Sequence, residues 1–240
     1  LTSMNYWNAK SAADSIGKTA IEGLHSAPDE RMIAIRSIKK AEITDYFNTI
    51  SNQLATFSED LSVREALKDF RNGFANYRTE IAAEKALKGS EEFSLPKVTS
   101  DLRNYYTNTF AREYQKNNPS SNASFDNKLP VSEDGIALQH AYIVSNANPF
   151  GSKQKLDSAD SVTTYGNTHN KYHPNFRNFL ERFAFYDIFL VDSKTGNVVY
   201  TVFKELDFGT SLVNGPYAST NLGDVFRKAN ASTTHGATFM

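Results

Sequence analysis

The run Phe185–Phe203, FYDIFLVDSKTGNVVYTVF, decides how this chain is read, because two stretches of aromatic and β-branched residues flank a polar link that carries Gly196. Residues of that kind suit a pleated, half-buried strand, and a glycine in a short polar link supplies the positive φ of a hairpin. The pattern predicts strands over Phe185–Val191 and Val198–Phe203 joined by DSKTGN. Immediately upstream, YHPNFRNFLERF (Tyr172–Phe183) crowds basic and aromatic residues, and Pro174 is expected to open a helix carrying Phe176, Phe179, Leu180 and Phe183.

Working outward, the rest of the chain reads mainly as helix. From Arg31 to Thr56 the apolar positions Ile35, Ile38, Phe47, Ile50, Leu54 and Phe57 fall mostly three or four apart, an amphipathic spacing. Pro28, Asp29 and Glu30 supply a helix start, or a kink in a helix that already includes the Ala-rich Asn5–Gly23. Val63, Leu67, Phe70, Phe74, Tyr77 and Ile81 form a second seam, expected to pack antiparallel on the first; Gly73 interrupts it at a cost of about 1 kcal/mol relative to Ala, which close packing against a neighbour could offset. Both seams read as core rather than as a cofactor box. A third run spans Asp101–Gln115, the polar Asn117–Pro130 is a loop, Glu133–Val144 is short helix, and Ser219 or Thr220 caps a last helix through Ala229. The expected fold class is therefore α+β, predominantly helical, with long N-terminal antiparallel helices followed by a small antiparallel sheet. Residues 1–116 form the helical stalk and 117–240 the portion with the sheet.

Lys plus Arg number 26 against 27 Asp plus Glu, so no broad basic face is expected and nucleic acid is not an expected partner. The absence of cysteine removes disulfides, thiolate metal sites and a cysteine nucleophile. No window approaches the roughly 18 apolar residues of a membrane span, and LTSMNYWNAK lacks the regions of a signal peptide. A chain that begins without Met and ends without a clear C-cap reads as a segment of a longer protein, with any membrane anchors outside it.

Tyr172, His173, Arg177, Arg182, Tyr186 and Asp187 form a dense set of donors and aromatics before the hairpin, and Lys204 and Asp207 follow it. Arg can hold a carboxylate by two parallel bonds, Tyr can close over it and Asp can take an amine, so the set suits a small polar ligand. The plainer alternative is packing and solvated ion pairs. His169 and His173 have the i, i+4 spacing of zinc sites, but Pro174 argues against one helix through both and no third ligand stands at a telling distance. Neither a metal nor a cofactor is expected. No nucleophile elbow, phosphate loop or dinucleotide fingerprint is present, which argues against an enzyme.

At YDIFLVDSKTGNVVYTVFKELDFGTSLVNGPYASTNL (186–222) the chain resembles the Cache (PDC, PAS-like) extracytoplasmic sensor domains of bacterial chemoreceptors, histidine kinases and receptor cyclases. The resemblance extends to AIRSIKKAEITDYFNTISNQLATFSEDLSVREALKDFRNGF (34–74), ALQHAYIVSNANPFGSK (137–153) and THNKYHPNFRNFLERFAFYDIFLVD (168–192). It implies a periplasmic ligand-sensing portion of an inner-membrane receptor, anchored by spans before Leu1 and beyond the C-terminus, homodimeric in the parent protein. A small molecule (an amino acid, amine or carboxylate) would sit against a PAS-like sheet, approached by Tyr172, His173, Arg177, Tyr186, Asp187, Lys204 and Asp207. Such a sheet has about five strands, whereas only THGATFM follows the last helix, so the sheet is expected to be truncated at the C-terminus. The rival reading is a helical structural or interaction module without a small-molecule ligand.

Overall fold

The computed structural model describes residues 2–121 and 123–239, with side chains described over 14–18 and from 28 onward. The fold is predominantly helical α+β with one two-stranded antiparallel sheet. Two compact units divide the chain, Leu1–Thr56 and Phe57–Met240, so the second and third helical runs of the expected stalk lie in the same unit as the hairpin.

The first unit consists of helix α1, which runs Thr2–Glu59 with Pro28 inside it and ends in the second unit. Its apolar residues do not form the expected buried seam. Ile35, Ile38, Phe47 and Leu54 are 43 to 58% exposed.

In the second unit, α2 (Leu61–Leu87) starts at Asp60, whose carboxylate accepts the Ser62 amide. Val63, Ala66, Phe70, Phe74 and Tyr77 are buried along it. That seam is covered by α6 (Thr164–Phe183) and α5 (Glu133–Gln139), which corrects the expectation that the first helix would cover it. Gly73 explains the choice of partner: a Cβ there would stand 2.7 Å from the Tyr165 Cα, so only a glycine lets α2 lie this close to α6. Between these elements run α3 (Leu95–Asn104), a π-helical turn Tyr105–Phe110, α4 (Ala111–Asn117) and a second π-helical turn, His140–Val144, that continues α5.

Helix α6 begins ten residues before Pro174, where a helix start was expected. Thr163 caps it by accepting the Gly166 amide, and the Glu80 carboxylate takes both the amide and the hydroxyl of Thr164 at 2.6 and 2.8 Å. An interior proline costs about 3 kcal/mol through one lost backbone bond and a clash. The buried apolar side chains of that face offset the cost, Phe176 and Leu180 each contributing about 1.5–3 kcal/mol, with the rings of Tyr165 and Tyr172 buried beside them. Ala184 in the left-handed conformation ends the helix, with the Phe185 amide donating to the Leu180 carbonyl.

Strands β1 (Phe189–Val191) and β2 (Val198–Thr201) pair with Leu190 opposite Tyr200 and an irregularity at Leu190/Val191. The DSKTGN turn forms as expected, with Gly196 at φ 70° and the Asp192 carboxylate accepting from the Lys194 amide and the Thr195 hydroxyl. Both strands are shorter than the sequence predicts. The Asp187 carboxylate accepts the amides of Ile188, Val202 and Phe203 at 2.7, 2.9 and 3.2 Å, and the Val202 amide is shared with the Ile188 carbonyl at 3.2 Å, so a side chain competes with the ladder at that end. Residues 209–212 return along the other edge of β2, where the Val198 amide donates to the Thr210 carbonyl at 2.8 Å. All of β2 is buried, with Tyr200 at 4.6 Å from the Phe70 ring. Helix α7 (Asn221–Ala231) closes the chain. Among the described residues no further strand completes a five-stranded sheet.

Candidate functional site

Three residues one turn apart on α6 hold a strap of chain, residues 153–160, against the core. His169 Nδ1 lies 2.6 Å from the Asp157 carbonyl oxygen, and His173 Nε2 lies 2.6 Å from that of Gln154. Arg177 donates to the same Gln154 carbonyl at 2.8 Å and forms an ion pair with Asp157 at 2.7 Å. His173 Nδ1 meets the Tyr200 hydroxyl at 2.7 Å, so both of its nitrogens are engaged and the ring is stacked on His169 at 4.3 Å. Burial, with Lys204 as a nearby cation, holds the His173 imidazole down to about 3 and pushes that of His169 well below the usual range. Both rings are neutral at physiological pH, and one helix does run through them despite Pro174. Among the described residues no three His, Cys, Asp or Glu side chains converge as a metal-ligand set.

The strap walls a cavity of about 400 Å³ between α2, α3, α5 and the π-helical turn after it. Tyr77, Ile81, Phe93, Val98, Ala137 and Leu156 give it apolar walls, and Lys85, His140, Ser145, Asn146 and Ser158 are its polar lining. Its loop side is built rigidly. The Asn146 side-chain amide donates to the carbonyls of Tyr142 and Lys153, and Lys153 Nζ returns a bond to the Asn146 carbonyl at 2.6 Å. Asp160 Oδ1 accepts the amides of Val162 and Thr163, turning the strap into α6. A volume of this size, with apolar walls and a few placed polar groups, falls within the range that small-molecule sites span.

The eight residues singled out in the sequence fall into separate places. His173 and Arg177 clamp the strap. Tyr172 is buried, and its hydroxyl donates to Asp69 at 3.0 Å. Arg182 and Tyr186 are exposed, the first bonded to Asn178 and the second, 78% exposed, reaching Glu205 at 3.3 Å. Asp187, Lys204 and Asp207 gather at the end of β2. Lys204 is buried with φ 59°, its ammonium bonded to the Thr201 carbonyl and lying 4.3, 5.1 and 5.8 Å from the rings of Tyr200, Phe208 and Tyr142. Burial lowers its pKa and raises that of Asp187, while their mutual attraction opposes both shifts. Burial, reinforced by Asp187 and Glu205, pushes Asp207 up to about 7. None of the eight lines the 400 Å³ cavity.

Sequence reading passed over Lys85, His140 and the strap itself. The i, i+4, i+8 spacing of His169, His173 and Arg177 was visible, but it marks one helix face without saying what that face holds. Lys85 and His140 belong to different elements, so no spacing connects them. Compared with known proteins, the chain matches no family model, no curated protein and no solved structure.

Proposed function

We propose that this chain is the periplasmic small-molecule-sensing region of a bacterial transmembrane signalling receptor, homodimeric in the parent protein and without catalytic activity of its own. The observation that carries the reading is a continuous mechanical connection. The strap that walls the cavity is fastened to α6 by His169, His173 and Arg177, and α6 stacks Phe179 on Phe57 of the last turn of α1 at 4.4 Å, with Phe176 at 5.5 Å. A ligand that binds one position of the strap better than another shifts α6, and with it the end of α1, by its differential affinity for the two. The resemblance to Cache sensors over 186–222 supports the same reading from the sequence side.

A thermal-denaturation screen against amino acids, amines and carboxylates tests it. A ligand at a hundred times its Kd stabilises by about 2.7 kcal/mol, or about 5–10 °C for a chain of this size. Hydrogen exchange at residues 50–59 should change with that ligand, and Arg177→Ala should reduce the change by loosening the strap. A panel that leaves the Tm untouched overturns the proposal. The rival, a helical interaction module, draws on the exposed Met32, Ile35, Ile38, Tyr46 and Phe47 of α1. It requires concentration-dependent association that disappears when Ile35 and Ile38 are replaced by Ser, with no response to any metabolite.

A further inference from the structure

Resting on that sensing reading, we propose that the 400 Å³ cavity is the ligand site and that its ligand is an amphipathic monocarboxylate, with a ring-sized apolar body and its acid held by Lys85 and His140. The charge of the lining sets the class. Lys85 and His140 are its ionisable basic groups, and no Asp or Glu contributes to it, so an amine or the ammonium of an amino acid would meet no counter-ion. Lys85 is half-buried on α2 and, among the described residues, has no ion-pair partner, whereas its neighbours Lys88 and Lys97 are paired with Glu84 and Glu91. A half-buried ammonium without an ion-pair partner among the described residues, on the wall of a cavity with apolar surface beside it, is placed to take an anion.

His140 adds a second donor when it is protonated, through Nδ1–H, because its Nε2 faces Asp101. It sits on the π-helical turn His140–Val144, an element that recurs at functional sites because it widens the helix locally. Its Nδ1 lies 3.4 Å from the Ser145 hydroxyl, and its Nε2 lies 3.4 Å from Asp101, which is outside the lining. Burial lowers its pKa; Asp101 opposes that, and the cations of Lys85 and Lys97 add to it. A carboxylate placed beside Lys85 would raise it again. The walls define the rest of the ligand. Tyr77, Ile81 and Leu156 offer ring and aliphatic surface, which suits an aryl or alkyl body. At interior packing density, roughly 20 Å³ per non-hydrogen atom, the volume holds on the order of twenty such atoms.

The test is calorimetric titration of the whole chain with phenylacetate, phenylacetamide, phenethylamine and acetate. Phenylacetate should bind; the amide and the amine should bind at least tenfold more weakly, and acetate, without the apolar body, not detectably. Lys85→Gln should weaken phenylacetate about tenfold or more and leave the amide unchanged, since a hydrogen bond to a charged group is worth more than one between neutral groups. Ala141→Leu, which fills the cavity from a partly exposed position, should abolish phenylacetate binding while leaving the circular dichroism spectrum unaltered. Phenethylamine binding as well as phenylacetate, or Lys85→Gln without effect, refutes the carboxylate site. If phenylacetate fails at millimolar concentration while another metabolite raises the Tm, the carboxylate class falls and the sensing reading stands. If nothing in either panel binds, both fall.

Discussion

Asp207→Asn should stabilise this protein increasingly as pH rises, and the size of the effect follows from where the carboxyl lies. Asp207 is half-buried with its Oδ1 fully enclosed and without a hydrogen-bond partner, and Asp187 and Glu205 add negative potential. Its folded pKa of about 7 therefore lies above the 3.8 of the unfolded chain. With the folded value raised, the native state binds more protons than the unfolded state between these limits. The contribution is fully present below the unfolded pKa and is lost as pH rises through the folded one. Integrated from pH 4.5 to pH 8, that loss is about 3 kcal/mol, at 1.36 kcal/mol per pKa unit. Asparagine does not titrate and retains the neutral shape. Any fixed cost of placing its amide, about 1–3 kcal/mol, is the same at both pH values and cancels in the difference. Urea denaturation of both proteins at pH 4.5, 6 and 8 measures this directly. The stability difference should move toward the variant by about 3 kcal/mol between the first and last conditions. A difference independent of pH would mean that Asp207 is solvated and ionised throughout, and the reasoning would fail.

Two further substitutions probe the packing that places the cavity. Gly73→Ala gains about 1 kcal/mol of helix propensity but drives a methyl into the Tyr165 backbone, which cannot rotate away. Denaturant titration should show a net loss of about 2 kcal/mol, and a stabilised variant would disprove the close approach of α2 and α6. His173→Phe should reduce acid sensitivity: the imidazole is held at about 3 in the fold against 6.5 unfolded, so its contribution is lost as pH falls from 6.5 toward 3. Between pH 7 and pH 5 the wild type should lose about 2 kcal/mol relative to the variant; parallel pH profiles would contradict a buried neutral His173.

The sequence by itself determined the elements whose signals are local. The three-four spacing from Val63 to Ile81 made α2, and the DSKTGN link with its glycine made the hairpin turn, because helix periodicity and a positive φ are properties of a few adjacent residues. Tertiary structure decided which apolar face covers which. The α1 spacing looked as convincing as that of α2, yet Ile35 and Ile38 are exposed while Phe70 and Phe74 are buried, since periodicity marks a face and not its partner. Pro174 looked like a helix start and became an interior residue because a buried aromatic face outweighs one lost hydrogen bond. The basic and aromatic block before the hairpin was visible as residues, but their separation into clamps, core and exposed edge was not. That sorting, like the meeting of Lys85 with His140 across 55 residues of chain, depends on how α2, α5 and α6 pack, and no local propensity encodes it.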